Sequence, residues 1–235
     1  MIKKHHIKLH LETEFTKENF NDFDEVVLSS GVTPRVPKIM GVDEPYVHTY
    51  QEVIGKKLPI GNKVALVGAG GIGFDMAEYL SDPHPSPVSS SDFNKDWGID
   101  FSVETPGGIF KSERSSSKRE ISMLQRKEEK LGIRLGKTTG WVKRKMLKER
   151  GVKMLSSVEY QKISDHKLFI KRAGKEMIIE VDQVILCAGQ LSVTNLKEDL
   201  EANNIKHHII GGALKAGELD AKRAIKEGLE LALSI

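Results

Sequence analysis

Lys63-Val64-Ala65-Leu66-Val67 runs directly into Gly68-Ala69-Gly70-Gly71-Ile72-Gly73, and Phe74-Asp75-Met76-Ala77-Glu78-Tyr79-Leu80 follows without a break. A short, β-branched, apolar run of this kind is patterned as a parallel strand buried on both faces. The glycines then stand between strand and helix, where each has a separate task. Gly68 permits the tight turn off the strand, Gly70 lets a pyrophosphate reach the backbone amides, and Gly73 lets helix and strand pack closely. The start of the helix adds unpaired N–H donors and partial positive charge. Without a ligand the same residues would make only a tight strand–helix turn. In this strand–loop–helix order, residues 68–73 are candidate dinucleotide-binding residues.

A second feature is a duplication. Asp24-Glu25-Val26-Val27-Leu28-Ser29-Ser30-Gly31 lines up with Asp182-Gln183-Val184-Ile185-Leu186-Cys187-Ala188-Gly189. Each copy is a buried-strand pattern that stops at small residues and a glycine, where a backbone can come close to a ligand. Cys187, Ala188 and Gly189 close the stretch that the glycine loop opens. Ser29, Ser30 and Gly31 have no such opening before them. The pattern reads as two nested dinucleotide-binding units with the front of the first absent.

The rest of the chain is consistent with an α/β, Rossmann-like domain of parallel sheet plus antiparallel β-meander, with remnants of a second, FAD-type dinucleotide-binding domain. Ile7-Lys8-Leu9-His10-Leu11 alternates as a half-exposed strand does. Thr33-Pro34-Arg35-Val36-Pro37 predicts an extended exit into a Gly- and Pro-rich crossover over 32–62. Residues 81–119 hold Pro83, Pro85, Pro87 and Pro106 and serine runs that include Ser115, and predict a long insertion loop. Phe93, Trp97, Phe101 and Phe110 give part of it something to pack. Glu120–Gln125 reads as the second parallel strand, Trp141–Arg150 as a helix stopped by Gly151, and Val152–Leu155 as the next strand. Val158–Val181 predicts the meander, with Lys167–Lys171 and Met177–Glu180 paired across Ala173-Gly174-Lys175. Ile209-Ile210-Gly211-Gly212 is one further strand and turn. Glu218–Ser234 predicts a closing amphipathic helix with Leu219, Ala224, Ile225, Leu229, Ala232 and Leu233 as its apolar stripe. The expected divisions are 1–60 and 191–235 for the FAD-type parts and 61–190 for the NADPH-binding domain.

The end of the second strand selects the nucleotide. An acid there holds a ribose 2′-hydroxyl, whereas arginine accommodates a 2′-phosphate. Arg126-Lys127 occupy that place, and Glu128 and Glu129 follow one or two residues later. Arg126 offers a planar fork and Lys127 a point charge, which predicts NADPH. The alternative is two solvated cations at a strand end. The insertion lengthens the spacing from the glycines, so the register is inferred.

Composition narrows the function. The sequence has 235 residues and a formal net charge of +3. Lys111–Lys153 carries 15 basic and 5 acidic residues, a local +10, which leaves −7 for the remainder. Such a stretch serves nucleic acid, an acidic partner or a phosphorylated ligand, or is a solvated face. Its densest part, Lys143–Arg150, lacks interleaved aromatics, which argues against nucleic acid. One cysteine, Cys187, excludes an internal disulfide framework and a multi-thiolate cluster within these residues. At a strand end it reads as a small packed residue. The eight histidines are scattered or paired in polar contexts, as at His5-His6 and His207-His208, show no ligand spacing, and a surface setting is expected for most of them. No catalytic acid–base set and no metal site emerge, which is compatible with chemistry carried by a nicotinamide cofactor. No apolar run approaches the roughly 20 residues of a membrane span, and the N-terminus lacks the apolar core of a signal peptide. A cytoplasmic setting is expected.

Residues 63–80, Met123–Lys127, Gly136–Trp141, Val184–Gln190 and Glu218–Ile225 together resemble the C-terminal part of bacterial NADPH-dependent 2,4-dienoyl-CoA reductases, and the resemblance extends over essentially the whole sequence. Members of that family join a TIM barrel, carrying FMN, a 4Fe-4S cluster and the substrate site, to a pair of FAD- and NADPH-binding domains. The resemblance implies electron entry from NADPH to FAD and onward to the barrel, in β-oxidation of unsaturated fatty acids. It implies NADPH contacts at Gly68, Gly70, Gly71, Gly73, Arg126 and Lys127. It places Ser29, Ser30, Gly31, Gly211, Gly212 and the start of the last helix, Leu219, near FAD. The barrel, its cluster cysteines and the FAD glycine loop have no counterpart in this sequence. Ala213-Leu214 stand where flavoproteins often place an acid. These departures argue against FAD binding by the chain alone. The leading reading is the reductase module of such an enzyme, either a fragment or one half of a split enzyme with a separately encoded TIM-barrel half as partner. The other reading is a non-catalytic NADPH-binding remnant or sensor.

Overall fold

The structure is a computed structural model that describes residues 2–82, 89–112, 116–217 and 219–235. In chain order, β1 (Val26–Leu28) and β2 (Val32–Pro34) lead to β3 (Val47–Thr49) and α1 (Tyr50–Gly55). β4 (Lys63–Val67), α2 (Gly71–Ser81) and α3 (Ser90–Trp97) follow, then β5 (Glu120–Leu124), α4 (Gly140–Glu149) and β6 (Lys153–Leu155). β7 (Val158–Ser164), β8 (Lys167–Arg172), β9 (Lys175–Glu180) and β10 (Gln183–Leu186) come next. β11 (Gln190–Ser192), α5 (Lys197–Ala202), β12 (His207–Ile209), α6 (Gly211–Leu214) and α7 (Ala221–Ala232) complete the chain. It divides into two compact units. Unit 1 is the segment up to Thr33 with Gln190–Ile235, and unit 2 is Pro34–Gly189.

Unit 2 is built on a five-stranded parallel sheet in the order β3-β10-β4-β5-β6. Successive side chains of a strand face opposite ways, and here both faces are covered. Val64, Leu66, Ile121, Met123 and Ile185 pack on Val53 of α1, on Phe74, Met76, Ala77 and Leu80 of α2, and on Met146 and Leu147 of α4. Ala65, Val67, Leu124, Val184 and Leu186 pack instead on Val158, Ile163, Leu168 and Ile170 of the antiparallel meander β7-β8-β9. Burial on both faces is why β4 reads as an unbroken apolar run. The meander contains the expected hairpin, Lys167–Arg172 against Lys175–Glu180. Its two turn residues, Ala173 and Gly174, both have positive φ, as a two-residue turn that matches strand twist requires. Gly151, also at positive φ, ends α4.

Two sequence expectations for this unit need amendment. The crossover over 32–62 is not irregular throughout, since β3 and α1 lie in it. Thr49 caps α1, its hydroxyl accepting from Glu52 N–H at 3.2 Å. The insertion is likewise not a plain loop. Ser90–Trp97 is helical, with Ser89 Oγ accepting from Asp92 N–H at 3.1 Å and Gly98 in the left-handed conformation at the other end. Cap, acid and terminal glycine stand at helix spacing, and the surrounding prolines and serines masked them. Phe93 and Trp97 pack on each other at 5.9 Å between centroids, while Phe101 and Phe110 are exposed. Pro83, Pro85, Pro87 and Ser115 lie outside the described residues. The end of the insertion is anchored by Arg119, which donates to Leu80 O at 3.0 Å and Gly61 O at 3.1 Å.

Unit 1 contains a two-stranded parallel sheet, β1-β12, and a second pair, β2-β11. Val26 and Leu28 are buried against Phe20 and Leu200. Three expectations fail here. Ile7–Leu11 forms no strand, and Ile7, Leu9 and Leu11 are exposed, because no neighbouring strand is present among the described residues to complete a ladder. The closing helix starts at Ala221, with Asp220 capping Arg223 N–H at 2.7 Å; Glu218 lies outside the described residues. Its apolar stripe is not buried, for Ile225, Leu229 and Leu233 face solvent. His207 and His208 lie on β12 and are partly exposed. His208 Nε2 lies 2.8 Å from a Glu25 carboxylate oxygen, and hydrogen bonds from Lys206 and His208 hold that carboxyl below its ordinary range.

Among the described residues, no helix is long and apolar enough to cross a membrane.

Candidate nucleotide-binding site

The sheet order puts three of the sequence-selected groups side by side. β10, β4 and β5 are adjacent and parallel, so Cys187–Gly189, Gly68–Gly73 and Arg126–Lys127 all follow the C-terminal ends of neighbouring strands. Ligands of open α/β sheets bind outside that edge.

The glycine loop is shaped by two close approaches. Gly68 has φ +116°, and a Cβ there would lie 2.3 Å from Cys187 O. Its N–H donates to Leu124 O at 2.9 Å, fixing the turn to the end of β5. A Cβ on Gly73 would lie 2.2 Å from Gly68 O, so helix and strand touch there through bare backbone. Gly70 and Gly71 differ, since a Cβ on either would meet nothing within 4 Å. Their surroundings are open rather than packed. Gly70 stands at the N-cap of α2 and supplies no side-chain cap. The amides that open α2, with Ala69 and Ile72 beside them, therefore border open space where an anion is favoured.

Arg126 and Lys127 follow β5, which ends at Leu124, one residue sooner than expected. Both are exposed. Gln125 Nε2 donates to Lys127 O and Glu129 O and shapes this turn. The nearby acid Glu129 is engaged by Arg134, with Nε 3.0 Å from Oε1, while Lys127 Nζ stands farther off at 3.9 Å. The carboxylate is thus matched by Arg134, and Arg126 has no salt bridge among the described residues.

Cys187 is buried beneath the loop, its N–H donating to Val67 O at 2.8 Å. Burial pushes its thiol up to about 12, and a thiol that stays protonated is a poor nucleophile. We expect Cys187 to resist a disulfide reagent at pH 8 and to react fully once unfolded in urea. Rapid labelling of the native protein, followed by absorbance, would contradict this.

Two residues not singled out from the sequence complete the site. The hydroxyl of Tyr160, on β7, donates to Leu124 O at 3.0 Å and lies against Gly68 N–H. Its burial raises the hydroxyl's pKa, and the positive charge of Arg126 acts in the opposite sense. Tyr160 thus braces the ends of β4 and β5 from the meander side. Arg35 donates from Nε to Ala188 O at 2.8 Å, and its own N–H donates to Gly189 O at 3.0 Å. It therefore fixes the small-residue exit of β10.

The second set of sequence-selected residues lies in unit 1. Ser29, Gly211, Gly212 and Leu219 line one open pocket of about 350 Å³ with Asp220 and Ala224. Ser30 and Gly31 do not line it; Ser30 Oγ donates to Val193 O at 2.6 Å, and Gly31 O accepts from Val193 N–H. The Gly211 N–H is taken by a Glu227 carboxylate oxygen. Among the described residues, unit 1 has no strand–glycine-loop–helix of the kind unit 2 has. Among the described residues, the pocket therefore has no glycine-loop amides beside it.

Known proteins share this fold. The family model for pyridine nucleotide-disulphide oxidoreductases matches residues 2–212. The chain is 24% identical over 215 residues to the metal reductase of Desulforamulus reducens, covering 89% of this chain and 31% of that protein. It is 23% identical over 218 residues to the cinnamate reductase of Clostridium sporogenes, covering 92% and 28%. The chain thus spans about a third of the length of the curated relatives it matches. A solved structure of 2-naphthoyl-CoA reductase with 2-naphthoyl-CoA superposes with a TM-score of 0.77 at 22% identity, over 100% of this chain and 30% of that one. Histamine dehydrogenase from Rhizobium sp. 4-9 superposes at 0.68 and 16% identity, over 99% and 35%. These structural likenesses show the fold.

Proposed function

The chain belongs to the pyridine nucleotide-disulphide oxidoreductase family, and from that premise we propose that unit 2 is the NADPH-binding, electron-entry module of a flavoprotein reductase of the 2,4-dienoyl-CoA reductase type. One observation carries this reading. The open backbone at Gly70 and Gly71 lies at the uncapped start of α2, on the sheet edge that also bears Arg126 and Lys127. In that role the loop amides hold the pyrophosphate, and Arg126 and Lys127 face the 2′-phosphate. Glu129 does not compete for the ribose because Arg134 already engages it. Cys187, Ala188 and Gly189 form a small-residue floor that lets the nucleotide lie close to β10. NADPH, when bound, supplies a hydride, and the residues of this chain supply position and charge.

The onward chemistry lies outside these residues in this reading. Two similar proteins carry names of reductases of conjugated acyl compounds, cinnamate reductase and 2-naphthoyl-CoA reductase, which favours a conjugated thioester such as a dienoyl-CoA as final acceptor. FAD would contact the unit 1 pocket, and FMN and a 4Fe-4S cluster would belong to a separate TIM-barrel partner.

Displacement of NADPH tests the nucleotide assignment. 2′,5′-ADP is expected to displace bound NADPH at concentrations at least about tenfold lower than 5′-AMP, as one charge-assisted hydrogen bond implies. Equal potency would remove the 2′-phosphate contact from the account. Mixing with a separately expressed barrel and following NADPH oxidation tests the acceptor; turnover that ignores added dienoyl-CoA would exclude it.

A further inference from the structure

The turn after β5 carries residue types suited to both nicotinamide nucleotides. Arg126-Lys127 suit a 2′-phosphate, and Glu128-Glu129 directly behind them are the type that holds a ribose 2′-hydroxyl. Which pair meets the nucleotide depends on the path of the chain after Leu124, and that path is held from two sides. The β6–β7 junction holds the backbone: Gln125 N–H donates to Leu155 O at 2.9 Å, Val158 N–H to Gln125 O at 3.0 Å and Ser157 N–H to Lys127 O at 3.1 Å. Ser157 makes this approach at a φ of +57°, in the left-handed region. Within the turn, Gln125 Nε2 donates to Lys127 O at 3.2 Å and to Glu129 O. One side-chain amide thus ties residues 127 and 129 to the strand end. Lys127 O keeps Ser157 N–H without it, so the amide matters most to residue 129.

The Glu129 carboxylate is then met by Arg134. Nε stands 3.0 Å from Oε1, and Nη2 donates to Oε2 at 3.3 Å, so the planar fork takes both oxygens. Arg134 itself stands on an anchored turn. Leu131 is buried in the core with Phe74, a Cβ on Gly132 would lie 2.6 Å from Phe74 Cζ, and Arg144 of α4 donates from Nη1 to Gly132 O at 2.6 Å. An ion pair this exposed adds little to stability. Its consequence is what it withholds. A free carboxylate beside the ribose accepts a hydrogen bond from a 2′-hydroxyl and repels a 2′-phosphate. We propose that Gln125 and Arg134 form a selectivity latch: together they hold Glu129 away from the 2′ position, and its release turns an NADPH site toward NADH. Gln125 and Arg134 are positioning residues in this arrangement, acting through Glu129 rather than on the nucleotide. The inference rests on the NADPH assignment of unit 2 and adds to it the residues that set its preference.

Titrations of variants of the intact chain with NADPH and NADH test the latch. Arg134→Ala is expected to weaken NADPH and tighten NADH, lowering the ratio of their affinities at least about tenfold, since the freed acid repels one ligand and bonds the other. The melting temperature is expected to stay unchanged, because the Arg134 side chain is 69% exposed. Gln125→Met keeps the length of the side chain and removes its donors; it is expected to lower the ratio in the same direction by about threefold, as loss of one neutral hydrogen bond implies. Adding Glu129→Gln to Arg134→Ala is expected to return the ratio to within about threefold of the native value, as coupled residues require. Opposite signs for the two nucleotides are the mark of the latch, because a merely structural loss weakens both together. An unchanged ratio in Arg134→Ala, or equal weakening of both nucleotides, would overturn the proposal. Recovery by Glu128→Ala in place of Glu129→Gln would overturn it too, by making Glu128 the competing acid. A native chain without preference for NADPH would overturn the proposed function, and the latch with it.

Discussion

Gly68→Ala is expected to destabilise unit 2 by about 2–6 kcal/mol and to abolish saturable NADPH binding, whereas Gly70→Ala leaves stability nearly unchanged and still weakens binding at least tenfold. The two glycines stand two residues apart in one loop, yet their surroundings are opposite. A methyl group on Gly68 would sit 2.3 Å from Cys187 O, at a φ of +116° that L-residues rarely adopt. Backbone strain of this kind costs about 1–3 kcal/mol. The clash adds overpacking of about 1–3 kcal/mol, because the atom met is backbone immediately after the interior strand β10 and cannot step aside. A methyl group on Gly70 meets nothing within 4 Å of protein. Its cost falls on the ligand, whose pyrophosphate must approach the bare backbone. Thermal unfolding read beside an NADPH titration separates the two effects. Equal destabilisation by both substitutions would mean that the open space at Gly70 is not the nucleotide path.

Arg126→Ala is expected to weaken NADPH binding by about 10- to 100-fold and NADH binding by less than threefold. Hydrogen bonds to charged groups contribute about 1.5–3 kcal/mol, and the two nucleotides differ only in the 2′-phosphate that Arg126 would face. The side chain is exposed and has no salt bridge among the described residues, so its removal leaves no buried partner unsatisfied and little change in melting temperature is expected. Tyr160 shares the electrostatic neighbourhood of Arg126, but its bond to Leu124 O persists without the arginine. Isothermal titration with both nucleotides measures the ratio directly. An equal loss for NADPH and NADH would assign Arg126 to some part of the nucleotide other than the 2′-phosphate.

Most of unit 2 was legible in the sequence because its signals are local. β4, the glycine loop and the start of α2 are contiguous, so strand pattern, turn chemistry and helix fall in one window. The hairpin at Ala173-Gly174 was legible for the same reason. Tyr160 and Arg35 were not. Each acts across a large sequence separation, Tyr160 on Leu124 and Arg35 on Ala188, and nothing in a strand pattern says which carbonyl a distant side chain will reach. The helix Ser90–Trp97 was obscured by composition, since prolines and serines predict a loop unless the Ser89 cap and Gly98 stop are read as a pair. Ile7–Leu11 failed for a physical reason of another kind. Alternation describes a strand's two faces, but a strand exists only with a neighbour, and among the described residues this segment has none. The exposed stripe of α7 is a related case: amphipathic pattern identifies an apolar face without supplying what covers it.

Parallel titrations of the intact chain with NADPH and NADH, followed by nucleotide fluorescence at one ionic strength, test the central assignment most directly. Saturable 1:1 binding of NADPH is expected, at least about tenfold tighter than NADH, as one charge-assisted contact to the 2′-phosphate implies. Binding of neither nucleotide, or NADH binding as tight as NADPH, would contradict it.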